Sequence, residues 1–309
     1  MTNGQAFDTF FKEIEISPEA DTSARALQRD VRKLLEQHVT GVRRSFLGGS
    51  FERGTAVRPL NDIDVFLELD EAQYPARRAA GPKALLERLV SEVQRAYAAR
   101  RPRIQEQAHS IRLQLPDASV ALDLIPAFPR DPGESGPRTQ GYEIPECYPA
   151  NRPHAADQWI LTFPETQAVK CKDANTKAEG GLNRLIKAAK HWNRAHEAAH
   201  GNHKPLRSYH LELMCYRVFD RNPGGAPEGL AALFQHLATH LTDVCPPPAG
   251  KRPDVAAYLA EDENRRNWAQ RRLNEAARLA SEALAATRAR NDAAARAAWH
   301  KLLGPPFPA

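Results

Sequence analysis

Residues 62–69 read Asp-Ile-Asp-Val-Phe-Leu-Glu-Leu, and this octapeptide restricts the fold more than any other stretch of the chain. Its strict alternation is the period of a half-buried strand, with Ile63, Val65, Leu67 and Leu69 on one face and Asp62, Asp64, Phe66 and Glu68 on the other. Asp62 and Asp64 therefore project from the same side. Strand interiors disfavour aspartate, and a carboxylate withdrawn from water is costly unless it is paired or binds metal. A second segment, SVALDLIPAF, repeats the anomaly: Val120, Leu122 and Leu124 share a face and Asp123 lies on the other, between Ala121 and Ile125. Three carboxylates gathered on one sheet face would repel one another strongly. One or two divalent cations offset that repulsion, and hard oxygen ligands suit Mg²⁺ or Mn²⁺. An exposed strand with a wet acidic face would account for Asp62 and Asp64 taken alone.

The residues just upstream weaken that blander reading. Gly48, Gly49 and Ser50 form a small-residue turn leaving the strand VRRSFL and entering a helix. Such a turn offers free backbone N–H groups to an anion, and the serine hydroxyl adds a further donor. Glycine lets the backbone approach a phosphate without interference from Cβ. A phosphate cradle followed by a two-carboxylate metal strand is the equipment of nucleotidyl transfer.

The remaining sequence divides into a mixed half and a helical half, 1–158 and 159–309. Leu27, Val31, Leu34, Leu35 and Val39 mark one face of a helix over 23–39, with Asp21, Thr22 and Ser23 as candidate caps. A second helix covers 82–97, and two strands follow around 103–115. The Pro- and Gly-rich stretch 126–153 reads as a long connecting loop. Beyond it, helical periodicity covers 181–197, 208–219 and 228–241, and an Ala/Arg/Glu-rich helical segment closes on WHKLLGPPFPA, whose last residues read as extended and exposed. The 309 residues suit two domains. No apolar run approaches the roughly 18–20 residues of a membrane span, the first seventeen residues lack a secretory pattern, and the four cysteines are widely separated, so a reducing cytoplasm is expected. A net charge of +5 and a pI near 9.1 are compatible with polyanionic ligands without establishing one.

LGGSFERGTAVRPLNDIDVFLEL resembles the glycine-turn and paired-aspartate signature of the polymerase-β-like nucleotidyltransferase superfamily, and VALDLIPAF is similar to its third-carboxylate strand. LNRLIKAAKHWNR resembles the phosphate-binding lysine helix of the oligoadenylate synthetase and cyclic GMP-AMP synthase group. LRSYHLELM is similar to the Ser/Tyr helix that follows, and WHKLLGPPF to the ending of the bacterial CD-NTases, the cyclic-oligonucleotide synthases of anti-phage (CBASS-like) signalling. The fold this implies is α+β: a nucleotidyltransferase core of mixed sheet and helices, a C-terminal helical domain, and an active site in the cleft between the lobes.

Carried over by position, the resemblance implies that Asp62 and Asp64 bind two metal ions, Mg²⁺ or Mn²⁺. Asp123 would hold the ion nearest the attacking hydroxyl and help remove its proton. Gly49 and Ser50 would hold the β- and γ-phosphates. Lys190, or Lys187 one turn earlier, would contact the triphosphate, Ser208 would bond a phosphate, and Tyr209 would stack on a base. The implied partners are NTPs, with ATP among them, a separate effector that reads the cyclic product, and a regulatory protein acting on the enzyme or its C-terminal tail. On the residues alone, Lys187 and Lys190 fit a solvated helix face, Tyr209 fits packing, Trp192 fits the core and Glu68 fits solvent exposure. His191, His196, His200 and His203 crowd one stretch, but without closely spaced cysteines no zinc ribbon is expected, and activation by double-stranded DNA loses its support. Three rivals remain: a linear oligoadenylate synthetase or RNA-nucleotide-adding enzyme, an antibiotic-modifying relative, and an inactive nucleotide-binding scaffold.

Overall fold

The computed structural model describes residues 1–73, 78–130, 140–148, 156–199, 204–219, 222–247 and 254–309. In chain order the elements are α1 (Asn3–Ile14), α2 (Pro18–His38), β1 (Val42–Leu47), α3 (Gly49–Glu52), β2 (Asp62–Leu69), α4 (Pro82–Ala96), β3 (Arg103–Glu106), β4 (Ile111–Gln114), β5 (Ala121–Arg130), β6 (Gly141–Glu146) and β7 (Gln158–Thr162). Helices then take over: α5 (Pro164–Lys177), α6 (Gly181–Ala199), α7 (Ser208–Cys215), α8 (Ala226–Thr239), α9 (Ala257–Glu261), α10 (Glu263–Arg288) and α11 (Asp292–Leu303). None of the described helices is long and apolar enough to cross a membrane.

The chain forms two compact units. One comprises Ile16–Gly54 and Leu60–Ala168, and the other Met1–Glu15, Thr55–Pro59 and Val169–Ala309. The division after 158 expected from sequence thus falls ten residues later, and the first helix belongs with the C-terminal half.

In the sheet unit the strand order is β1-β2-β5-β4-β3, with β6 pairing the far end of β5 and β7 pairing β6. β2 and β5 are parallel, in a register that sets Asp62 beside Ala121 and Asp64 beside Asp123. β1–β2, β3–β4, β4–β5, β5–β6 and β6–β7 are antiparallel. The apolar face of β2 is fully withdrawn from solvent at Ile63, Val65, Leu67 and Leu69, as are Leu122 and Leu124 of β5. Val31 and Leu35 of α2 and Leu85, Leu86, Leu89 and Val93 of α4 are buried in the same unit. The core outweighs the local signals over 126–153. β5 runs on through Pro126 and Pro129 to Arg130, and Gly141–Glu146 is a strand rather than loop. Each proline forfeits one ladder donor, but Ala127, Phe128, Tyr142 and Ile144 bury their side chains, and hydrophobic burial at ~1.5–3 kcal/mol per large side chain exceeds that loss. Residues 131–139 and 149–153 of the expected loop lie outside the described residues.

The helical unit is built around one apolar cluster that takes Phe7, Phe10, Phe11 and Ile14 from α1, Trp192 from α6, Phe234 from α8, Leu273 from α10 and Trp299 from α11. The start of α1 is fixed by a reciprocal cap: Gln5 N donates to Thr2 Oγ1 at 3.3 Å and Thr2 N donates to Gln5 Oε1 at 2.9 Å. The C-terminal tail is exposed only in part: Pro305 and Ala309 face solvent, whereas Phe307 is anchored. Phe307 is fully buried, with its ring centroid 4.9 Å from that of Phe7 and 5.8 Å from that of Phe10, and His300 Nδ1 donates to the Phe307 carbonyl at 2.6 Å. An aromatic ring three residues from the end gains more from this pocket than from solvent, which corrects the expectation of an extended GPPFPA.

Candidate active site

Asp62 and Asp64 alternate with Ile63 and Val65, so burying the apolar face of β2 leaves both carboxylates on the opposite side. Parallel pairing with β5 then brings Asp123 directly beside Asp64. The three aspartates therefore meet on one sheet face without help from any loop. Their surroundings differ: the Asp62 side chain is 44% exposed and the Asp123 side chain 11%. Burial raises the Asp123 carboxyl above the ordinary carboxylate range, Arg112 pulls it back in part, and the neighbouring Asp62 charge adds to the rise.

The glycine turn packs against this strand. Gly48 N donates to the Asp64 carbonyl at 2.9 Å. Gly49 has φ +62°, and a Cβ there would come within 1.6 Å of Asp64 Oδ2; at Gly48 a Cβ would lie 2.4 Å from the Phe66 ring. Both glycines are thus required by close packing on β2, and Gly49 is required by backbone conformation as well. Ser50 sits in the single turn of α3 that follows.

A fourth charged group, unforeseen in the sequence, completes the site. Arg112 lies on β4 opposite Asp123 in antiparallel register. Its Nε donates to Asp123 Oδ1 at 2.9 Å, and its Nη2 donates to Asp123 Oδ2 at 3.0 Å and to Asp62 Oδ2 at 2.6 Å. These charge-assisted bonds, that to Asp123 foremost, push the guanidinium further above its already high pKa. The sequence shows only an arginine alternating with the apolar Ile111 and Leu113; that β4 lies next to β5 and its Asp123 is visible only in the sheet.

A second cluster lies at the far end of β2. Arg44 donates through Nε to Glu68 Oε2 at 2.8 Å, through Nη2 to the Tyr142 hydroxyl at 2.6 Å, and through Nη1 and Nη2 to the two oxygens of Glu165 at 3.1 and 2.8 Å. Glu68 is therefore an anchored partner, with its side chain 14% exposed, rather than a solvent-facing residue.

The other expected site residues belong to the helical unit. Lys190 does not present a free cation: its Nζ donates to Glu212 Oε2 at 3.4 Å, with the two side chains 8% and 1% exposed. Breaking such a buried pair would cost roughly 3–5 kcal/mol, so the ammonium is held by Glu212. Lys187 donates to Glu15 Oε1 at 3.2 Å and keeps more solvent contact. Ser208 opens α7, and Tyr209 packs against the apolar cluster. Trp192 is core, as expected. His191 bonds the Leu303 carbonyl through Nε2 at 3.1 Å and His196 packs edge-on against Trp192; His200 and His203 lie outside the described residues.

The donor chemistry suits a divalent cation, because three carboxylates, all hard oxygens, stand on one face of adjacent, registered strands. Among the described residues, however, no group of three Asp, Glu, His or Cys side chains is gathered closely enough to hold an ion. The site already holds one cation of its own, the Arg112 guanidinium, bridging Asp62 and Asp123.

Comparison with known proteins agrees with this geometry. The Second Messenger Oligonucleotide or Dinucleotide Synthetase domain matches residues 1–175. Over 224 residues the chain is 24% identical to the cyclic AMP-AMP-AMP synthase of Escherichia coli strain MS 115-1, a match covering 70% of this chain and 63% of that relative, so the alignment spans less than two thirds of the relative's length. Among solved structures, CdnC of E. coli MS115-1 in complex with HORMA-deltaN superposes with a TM-score of 0.76 at 17% identity, covering 99% of this chain and 98% of that one. The Bradyrhizobium diazoefficiens CD-NTase CdnG in complex with GTP superposes with a TM-score of 0.73 at 16% identity, covering 97% and 94%. The fold is that of the polymerase-β-like nucleotidyltransferases with a C-terminal helical region. With more than half its length matched by the synthetase domain, and with Asp64 of β2 in register with Asp123 of β5, the chain belongs to the CD-NTase family of second messenger oligonucleotide or dinucleotide synthetases.

Proposed function

We propose that the protein is a metal-dependent nucleotidyltransferase that joins NTPs, ATP among them, into a cyclic oligonucleotide with release of pyrophosphate. The observation that carries this reading is the cross-strand pair Asp64–Asp123 with Asp62 on the same face, beside a glycine turn that a single Cβ would block. Asp62, Asp64 and Asp123 would hold Mg²⁺ or Mn²⁺, which supplies neutralisation of triphosphate charge and acidifies the attacking hydroxyl. Gly49 and Ser50 orient the β- and γ-phosphates. The sugar hydroxyl attacks the α-phosphorus, a P–O bond forms as the bond to pyrophosphate breaks, and the hydroxyl proton passes to the Asp123 carboxylate. In the helical unit Lys187 is the better candidate for the triphosphate, because Lys190 is committed to Glu212; Ser208 and Tyr209 are assigned to phosphate and base.

The product is a second messenger read by a separate effector in cytoplasmic anti-phage signalling. The HORMA complex of the E. coli CdnC supports a protein regulator for this chain too. The test is to incubate the protein with labelled NTPs and Mg²⁺ or Mn²⁺, treat with phosphatase, and identify products by mass. A phosphatase-resistant ring is expected, and Asp62→Asn with Asp64→Asn should abolish it while the melting curve stays cooperative. Ring formation by the double variant would overturn the mechanism; linear, phosphatase-sensitive products would move the activity to the oligoadenylate type.

A further inference from the structure

Arg112 has no role in the sequence resemblance, yet its guanidinium is in direct contact with the acidic site. Its three hydrogen bonds there all go to carboxylate oxygens of Asp62 or Asp123, and they engage both oxygens of Asp123. Its place is set by the sheet: β4 and β5 register Arg112 against Asp123, and the buried neighbours Ile111 and Leu113 hold the strand in that register. The side chain itself is 33% exposed, so solvent reaches part of it.

The geometry points to Arg112 as a built-in counter-cation, a positioning residue that holds Asp62 and Asp123 together before metal arrives and gives way when a divalent cation bridges them. The inference rests on the metal-dependent reading above. Three like charges on adjacent strands need a positive partner in every state of the protein. Without metal, the forked guanidinium supplies it and keeps the carboxylates gathered. A divalent cation between the same oxygens competes for their lone pairs and meets the arginine charge within a few ångströms. Arg112 therefore raises the metal concentration at which the site fills, and couples filling to displacement of a side chain. An arginine suits this task better than a lysine, because its planar fork spans two carboxylates at once.

The test measures Mn²⁺ binding to the full chain without nucleotide, by electron paramagnetic resonance, alongside melting curves. The guanidinium and the cation compete for the same carboxylate oxygens, so Arg112→Gln is expected to bind Mn²⁺ about tenfold tighter or more. Without metal it should melt lower than the unmodified protein, and Mn²⁺ should raise its midpoint further. Arg112→Lys keeps the charge and loses the fork, and its affinity should rise part of the way. Weaker Mn²⁺ binding by Arg112→Gln would overturn the proposal, since the arginine would then be arranging ligands rather than competing for them. An Arg112→Lys affinity equal to that of the unmodified protein would also overturn it, by reducing the effect to charge at a distance. Asp62→Asn with Asp64→Asn serves as the reference: if the unmodified protein binds Mn²⁺ no better than that variant, the metal site itself fails and the counter-cation role falls with it.

Discussion

At the scale of single residues, the aspartates were legible because each violates the rule of its strand. A carboxylate in an apolar alternation has few explanations, and the parallel register of β2 and β5 converts three local anomalies into one site. Arg112 was not legible, because an arginine on a short strand ordinarily lies in solvent, and only the register with Asp123 reveals its partner. Gly49 lies between these cases. The sequence explains it by the approach of a phosphate, whereas the structure adds a prior requirement: its φ is +62° and Asp64 Oδ2 occupies the space of a Cβ. Gly49→Ala should therefore act through Asp64. The positive φ alone costs about 1–2 kcal/mol, a modest fraction of stability, but a carboxylate displaced by about 1 Å loses on the order of 100-fold in rate. Turnover with NTPs and the melting midpoint, measured together, separate the two effects. An active Gly49→Ala variant would show that Asp64 is free to move.

At the scale of elements, β2 and the helices with a strong apolar stripe were read correctly, because burial of one face fixes both type and register. The continuation of β5 through two prolines and the strand β6 were not, since Pro and Gly report local backbone preference and are silent about a core that covers Phe128 and Tyr142. The helix α7 shows a further layer that periodicity hides. His210 on its buried face is fully enclosed, its Nδ1 is 3.2 Å from the Tyr258 hydroxyl, and its Nε2 has no hydrogen-bond partner among the described residues. Burial lowers its pKa from an ordinary 6.5 to about 4. The unfolded chain therefore takes up this proton first as the pH falls, so folding loses stability from about pH 6.5 downward and the loss is complete near pH 4. At about 1.4 kcal/mol per pH unit, the step to pH 5 costs roughly 2 kcal/mol through this residue. Denaturant titrations at pH 7 and pH 5 should show His210→Phe losing about 2 kcal/mol less than the unmodified protein. His191 and His236, also held below the ordinary histidine range by burial, keep a residual loss in the variant. Equal losses in the two proteins would show that His210 is not the group that titrates.

At the scale of the molecule, the sequence divides into two halves, whereas the chain divides into two units that each draw on distant segments. The N-terminal stretch received no assignment from its pattern; it forms a helix whose Phe7, Phe10, Phe11 and Ile14 share one buried face, and local spacing does not say which core receives it. The receiving core is that of Trp192, Phe234, Leu273, Trp299 and Phe307, assembled from residues far along the chain. All four α1 side chains are at most 3% exposed. Removing one buried phenylalanine costs about 3–5 kcal/mol, so losing the helix exceeds the roughly 5–15 kcal/mol that holds a domain folded. Deleting residues 2–14 should thus unfold the helical unit. Trp192, Trp268 and Trp299 lie in that unit and Trp159 lies on β7, so tryptophan fluorescence reports mainly on the helical half. The deletion should abolish its cooperative melting transition, and amide exchange should become fast over Leu182–Trp192 while Ile63–Leu69, which belong to the other unit, stay protected. A fluorescence midpoint within a few degrees of the full-length value would mean that the helical core is self-sufficient, and that the first helix only covers it.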